Sequence, residues 1–174
     1  MMQQPGAEQS GAEQSGAEQS GAEQSGARQP QADLRWLREA IELSRRCPPS
    51  ESAFSVGAVL VSGAGRVIAT GYSRELGPKD HAEEVAAARA AGDPLLTGAT
   101  LYSSLEPCLA RASRPRSCAE LIVAAGIPRV VIAWLEPPLF ARGGGAAELR
   151  RAGITVDEIP WLAELARSVN AHLL

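Results

Sequence analysis

The chain has 174 residues, 45% of them apolar and only 4% aromatic, which suits one domain with a packed core. No apolar run is long enough to span a bilayer, the polar N-terminus lacks the basic and apolar regions of a secretory signal, and three cysteines give no even disulfide framework, so a cytoplasmic protein with reduced thiols is expected. Residues 1–30 carry four Glu and one Arg, the whole net charge of −3, which leaves a neutral remainder without the basic footprint of a nucleic-acid binder.

Gly-Ala-Glu-Gln-Ser repeats four times without a break from Gly6 to Ser25, and a decayed copy follows. So short a period cannot be a solenoid unit, and the segment has no large apolar residue to bury. Residues 1–31 therefore read as a disordered tail and residues 32–174 as the folded domain. Asp33 stands as the N-cap of a first helix, in which Leu34, Leu37, Ala40, Ile41 and Ser44 share one face. Pro48-Pro49 ends it. Residues 55–62 read as a buried strand, 63–66 as a turn and 67–72 as the antiparallel partner. A second helix over about 82–91, a strand over 99–104 and a third helix over 118–126 follow. A strand over 129–135, a helix over 145–153, a strand over 154–159 and a closing helix from Pro160 complete the chain. This order predicts an α/β fold with one mixed five-stranded sheet between two layers of helices. Right-handed crossovers would set the starts of the second and third helices side by side, where open sheets of this kind bind ligands.

Chemistry concentrates at those two helix starts. His81 is one of only two histidines and opens the second helix; Cys108 and Cys118 bracket the approach to the third. One imidazole and two thiolates form a donor set suited to zinc, and three protein ligands leave a fourth position for water, as catalytic sites require. Glu83, two residues beyond His81, can face the same pocket without binding the metal. There it can take a proton from the activated water and pass it to a leaving group. Alone, His81 reads as a helix cap and Cys108 as a small buried side chain; with Cys118 and Glu83 at matching element ends, the metal reading outweighs both.

His81-Ala82-Glu83, then Pro107-Cys108, then Cys118 is the zinc nucleobase-deaminase signature. The chain is identified on it as a member of the cytidine deaminase-like superfamily, in which two residues commonly separate the cysteines; here Leu109 to Ser117 insert nine. From Gly98 onward, "GATLYSSLEPC…RPRSCAELIVAAGIPRVVIAWLEP" and later "ARGGGAAELRRAGITV" resemble the pyrimidine deaminase domain of riboflavin biosynthesis, and the likeness runs from about Leu34 to Ile159. The resemblance implies a three-layer α-β-α deaminase-like fold and zinc on His81, Cys108 and Cys118. It also implies proton transfer by Glu83, a diaminopyrimidine substrate carrying a phosphoribosylamino group, and a homodimer or higher homo-oligomer. Three stretches depart from the family. Ala53-Phe54-Ser55-Val56-Gly57 stands where "N-P-N-V-G" is usual, the inter-cysteine loop lacks "HHGRTPP", and "ARGGG" lacks a lysine between glycines.

Those stretches are where the substrate is expected, which makes Ser55 a candidate contact. Arg111, Arg114 and Arg116 crowd the inter-cysteine loop and could grip a phosphate through bidentate hydrogen bonds; a solvated surface loop is the competing reading. Glu106 is expected to orient its loop rather than to catalyse. Cys47, Trp36, Trp134 and Trp161 read as packing residues, and His172 has no assigned role. The expected reaction is hydrolytic deamination of an amino-pyrimidine nucleotide. Its rivals are the same chemistry on cytidylate, cytosine or a natural-product pyrimidine, a nucleic-acid editor, and a non-catalytic zinc-containing interaction module.

Overall fold

The computed structural model describes residues 19–140 and 143–174. Five strands, β1 (Gly57–Val61), β2 (Val67–Tyr72), β3 (Thr100–Ser103), β4 (Arg129–Ile132) and β5 (Thr155–Glu158), form one sheet in the order β2-β1-β3-β4-β5. The β1 strand runs antiparallel to β2 and β3, whereas β3, β4 and β5 are mutually parallel. The mixed sheet read from the sequence is therefore present. Its interior strands are buried on both sides: all five residues of β1 are enclosed, which explains why "GAVLV" shows no polar alternation.

Helices α1 (Gln19–Ser44), α2 (Ala82–Arg89), α3 (Cys118–Ala124), α4 (Gly145–Arg151) and α5 (Ala163–Val169) cover the sheet. Two glycines show how closely. A Cβ on Gly57 would strike the Ala40 carbonyl of α1, and one on Gly71 would strike the Ala82 carbonyl and lie 2.9 Å from the Ala86 nitrogen of α2. Gly71 pairs with Ala58, the neighbour of Gly57, so the two glycines point to opposite faces. The result is a three-layer α-β-α arrangement, with α1 and α5 on one side and, on the other, α3 flanked by α2 and α4.

The first helix starts at Gln19 rather than at Asp33. Ala, Glu and Gln of the repeat are strong helix formers, and a packed turn at Leu34 and Leu37 supplies the nucleus they lack alone. The part of the expected tail before Gln19 lies outside the described residues. Asp33 is consequently inside a helix, not capping one. Its buried carboxylate accepts from the Tyr102 hydroxyl at 2.7 Å and from Arg129 at 2.9 and 2.8 Å. Arg129 also holds Asp157 of β5 at 2.6 Å, so α1, β3, β4 and β5 meet at one charged cluster. Burial pushes the Asp33 carboxyl up, but the hydrogen bonds from Arg129 and Tyr102 outweigh it and hold it below the ordinary value.

The closing helix is broken into a 3-10 turn over Pro160–Leu162, α5 and a second turn over Ala171–Leu173. Trp134 is buried and Trp36 packs against the core, as expected. Trp161 does not: it is 70% exposed, because the 3-10 turn rotates it out of the stripe that a continuous helix would bury.

Candidate metal centre and active site

His81 is the N-cap residue of α2, and Glu84 in the first turn of that helix accepts from its backbone N–H at 3.4 Å. Ser117 caps α3, exchanging hydrogen bonds with Glu120 at 3.2 and 2.7 Å. Cys118 is thereby the first helical residue of α3 and fully buried. Cys108, at the end of the segment leaving β3, accepts from the Cys118 backbone N–H through Sγ at 3.4 Å, while its carbonyl accepts from Ala119 at 3.2 Å. Two caps and this tether deliver three donors to one point.

The His81 Nδ1 lies 3.7 Å from Cys108 Sγ and 3.4 Å from Cys118 Sγ, and all three donor atoms lie within 4.8 Å of one another. Zinc at about 2.3 Å from sulfur and about 2.0–2.1 Å from nitrogen, with tetrahedral angles, would set sulfur and nitrogen about 3.6 Å apart. The two observed separations bracket that value. Protonation tells the same story. A hydrogen bond from Cys118 and the proximity of His81 hold Cys108 down at about 4, while the same contact and burial push Cys118 well up. Two sulfurs this close share one proton; a divalent cation is what lets both become thiolates.

Glu83 follows in the first turn of α2, 3% exposed, and its Oε1 accepts from the Ser103 hydroxyl at the end of β3 at 3.1 Å. Burial pushes this carboxyl up; His81 pulls it down and Cys108 pushes it up again. A carboxyl raised in this way holds a proton more readily than an exposed one, which suits a group that must both take and return it. His81, Cys108 and Glu83 border a cavity of about 230 Å³, with Cys118 buried behind them.

The three arginines of the inter-cysteine loop are engaged within the protein. The Arg111 side chain is 3% exposed and bound to Glu84 at 2.9 Å; Arg114 binds Asp80 at 2.8 Å and Glu84 at 3.3 Å. Arg116 turns to the Glu120 carbonyl at 3.4 Å. Arg111 alone of the three lines the cavity, and it is already paired. What the loop does is pin itself across the His81 segment. Ser55 likewise lies behind the wall formed by Ala53, Phe54 and Val56. Its N–H donates to Asn170 at 2.7 Å and its hydroxyl accepts from Arg74 at 3.0 Å.

Several lining residues were not singled out from the sequence. Arg74, left-handed at φ 64°, donates to the Pro48 and Phe54 carbonyls at 2.8 and 3.1 Å. Phe140 meets Phe54 edge-on at 5.0 Å between centroids. Glu136 and Ser113 also face the cavity. Burial, then the negative neighbours Cys108, Glu83 and Glu106, push Glu136 up to about 8. Glu106 does orient its loop: its carboxylate accepts from the backbone N–H groups of Glu136, Gly144 and Ala146 at 3.0, 3.2 and 2.9 Å.

Residues 30–134 match the family model described as the cytidine and deoxycytidylate deaminase zinc-binding region. The chain belongs to this family. It is 41% identical over 126 residues to a diaminohydroxyphosphoribosylamino-pyrimidine deaminase of Schizosaccharomyces pombe, covering 71% of this chain and 31% of that protein. It is 42% identical over 116 residues to the riboflavin biosynthesis protein RibD of Aquifex aeolicus, covering 67% and 31%. The chain thus spans less than a third of the length of these relatives. Among solved structures, Acinetobacter baumannii RibD superposes with a TM-score of 0.67 at 33% identity, over 81% of this chain and 38% of that one. The Rib2 deaminase of Aspergillus oryzae does so at 0.70 and 26% identity, over 79% and 89%. A deaminase-family zinc site is therefore the frame for His81, Cys108 and Cys118.

Proposed function

We propose that the chain is a zinc-dependent hydrolase that deaminates an amino-pyrimidine nucleotide, the diaminopyrimidine phosphate of riboflavin biosynthesis. The observation that carries this reading is the buried Glu83 carboxylate, hydrogen-bonded to Ser103, beside a three-donor cluster whose spacing fits zinc. A purely structural zinc site needs no such carboxylate. The name of the relative at 41% identity supplies the substrate class, and that of the relative at 42% the pathway.

When bound, zinc lowers the pKa of a coordinated water toward about 7. His81, Cys108 and Cys118 would hold it. Glu83 takes the proton released as water adds to the ring carbon bearing the exocyclic amine, and Ser103 keeps the carboxylate turned toward that carbon. Glu83 passes that proton to the adjacent ring nitrogen and then moves the proton of the added hydroxyl to the exocyclic nitrogen, whereupon the C–N bond breaks, ammonia leaves and a carbonyl remains. Phe54 and Phe140 offer an apolar wall for the ring. Residues 32–174 would form the catalytic domain, in the cytoplasm, as a homodimer or higher homo-oligomer.

A second reading, an unphosphorylated or differently phosphorylated amino-pyrimidine, is favoured by the pairing of Arg111 and Arg114 with carboxylates. One experiment separates the two: zinc content by elemental analysis, with ammonia release measured on the diaminopyrimidine nucleotide, its dephosphorylated form, deoxycytidylate and cytosine. Turnover of the first supports the proposal, and turnover of deoxycytidylate alone defeats it. Glu83→Gln should retain zinc and lose about 10²–10⁴-fold in rate, the worth of a positioned general acid–base. Near-normal turnover would remove Glu83 from the mechanism.

A further inference from the structure

The two edges of the sheet are protected differently. At one, β5 has four residues and carries Asp157 and Glu158, and short charged edges resist pairing with another chain. At the other, β2 is the longest of the five strands, and its six residues, "VIATGY", include neither a charge nor a proline. Uncharged segments of this length, rich in β-branched residues, pair readily when their edge is open.

The register shows which backbone groups face out. Ala58 pairs with Gly71 and Leu60 with Ala69, and the Ser73 N–H donates to the Val56 carbonyl at 2.9 Å. Polar groups alternate sides along an antiparallel strand, so Thr70 and Tyr72 turn theirs away from β1, toward the open edge. Ile68 has no partner in β1, a bulge that bends this edge at its start.

The other end of the edge is filled by side chains. Glu75 Oε2, from the loop after β2, accepts from the Tyr72 N–H at 3.2 Å, and Arg89 Nη1, from the last turn of α2, donates to the Thr70 carbonyl at 2.9 Å. The two also close on each other, Nη1 to Oε2 at 3.0 Å and Nη2 to Oε1 at 2.9 Å. The acceptor and the donor that a further strand would use are thus already taken. An exposed ion pair by itself adds little stability, and the Arg89 side chain is 40% exposed; what sets this pair apart is its grip on the strand edge.

We propose that the Glu75–Arg89 pair closes the edge of β2 against a second copy of this chain. Without it, two β2 strands would meet antiparallel about a two-fold axis, each offering Thr70 and Tyr72 to the other. The homo-oligomer proposed above then uses a different surface of the domain.

The test uses the zinc-loaded full chain, followed by sedimentation velocity and amide hydrogen exchange, with Arg89→Ala, Glu75→Ala, and Arg89→Ala combined with Thr70→Lys. Alanine is the strongest helix former, so Arg89→Ala keeps α2 while freeing the Thr70 carbonyl. Arg89→Ala and Glu75→Ala should each form particles of at least about twice the wild-type mass, as isologous pairing of one edge requires. Adding Thr70→Lys should return the mass to the wild-type value without restoring the melting temperature, because like charges then face each other across the two-fold axis. In wild type, the Tyr72 amide should exchange at least about 10-fold more slowly than the Thr70 amide, which faces the same edge without a carboxylate.

Equal exchange of those two amides in wild type overturns the proposal, whatever the variants do. Variants that keep the wild-type mass overturn it too, and a lower melting temperature alongside marks the pair as an ordinary structural contact. Larger particles that Thr70→Lys does not disperse join through another surface, and they overturn it as well.

Discussion

Replacing Glu106 by Ala removes the carboxylate to which, among the described residues, the loop after β4 is tied. Its two oxygens receive three backbone N–H groups, from Glu136, Gly144 and Ala146 at 3.0, 3.2 and 2.9 Å. Hydrogen bonds to a charged group contribute about 1.5–3 kcal/mol each. Three of them would give roughly 4.5–9 kcal/mol if every donor stayed dry. The bonds from Glu136 and Gly144 are only part-buried, however, so water can replace them, and burying the carboxylate itself carries a cost. A net loss of about 3–5 kcal/mol remains, a large part of the roughly 5–15 kcal/mol that holds a domain together. With a urea slope near 2 kcal/mol per molar, the midpoint should fall by about 1.5–2.5 M without a change of slope. Urea titration of zinc-loaded protein, followed by far-ultraviolet circular dichroism, measures this directly. A midpoint displaced by less than about 0.3 M would mean that the three N–H groups need no carboxylate, and the anchoring role of Glu106 would fall.

Cys118→Ser replaces one of two sulfurs and leaves His81 and Cys108 as an incomplete set; chelator competition should show zinc released at far lower chelator concentration than from wild type, with the fold kept. Gly71→Ala puts a methyl into the Ala82 carbonyl of α2. Overpacking of this kind costs about 1–3 kcal/mol, and because the strike falls one residue from His81, zinc affinity should drop together with the melting temperature. Asp33 predicts acid behaviour. Its folded pKa lies below the ordinary carboxyl value, so the unfolded chain binds the proton first; the stabilisation is complete above the unfolded value and is lost as pH falls through the folded one. Melting temperatures of Asp33→Asn should therefore be lower than wild type at neutral pH and converge with it in strong acid, and parallel curves would refute the linkage.

The strands and the metal donors are legible in the sequence because each is a local signal. "GAVLV" and "RVVI" are apolar runs bounded by turn residues, and His81, Glu83, Cys108 and Cys118 stand at element ends that spacing alone locates. What escapes is the pairing of charges across the chain. The ion pairs of Arg111 and Arg114 leave no local signal, because their partners, Asp80 and Glu84, lie some thirty residues earlier and meet them only once the inter-cysteine loop folds back. Glu136 and Ser113 escape for the same reason: each is an ordinary loop residue until two loops close on one cavity. Asp33 is misplaced as a cap because its true partner, Arg129, sits 96 residues away. Trp161 fails on a subtler point, a single 3-10 turn that shifts the phase of an otherwise helical pattern.

The pins on the inter-cysteine segment bear on its length. Cys108 is fixed to the start of α3 by the Cys118 and Ala119 N–H groups, so the distance between the sulfurs is set by those bonds and not by the nine residues that bulge between them. Arg111 and Arg114 then fasten the bulge to α2 from outside. Residues can accordingly be added or removed at its crest without moving either thiolate, which uncouples the shape of the cavity rim from the geometry of the ion beneath it. A rim free to be rebuilt in this manner lets one metal chemistry serve rings of different outline.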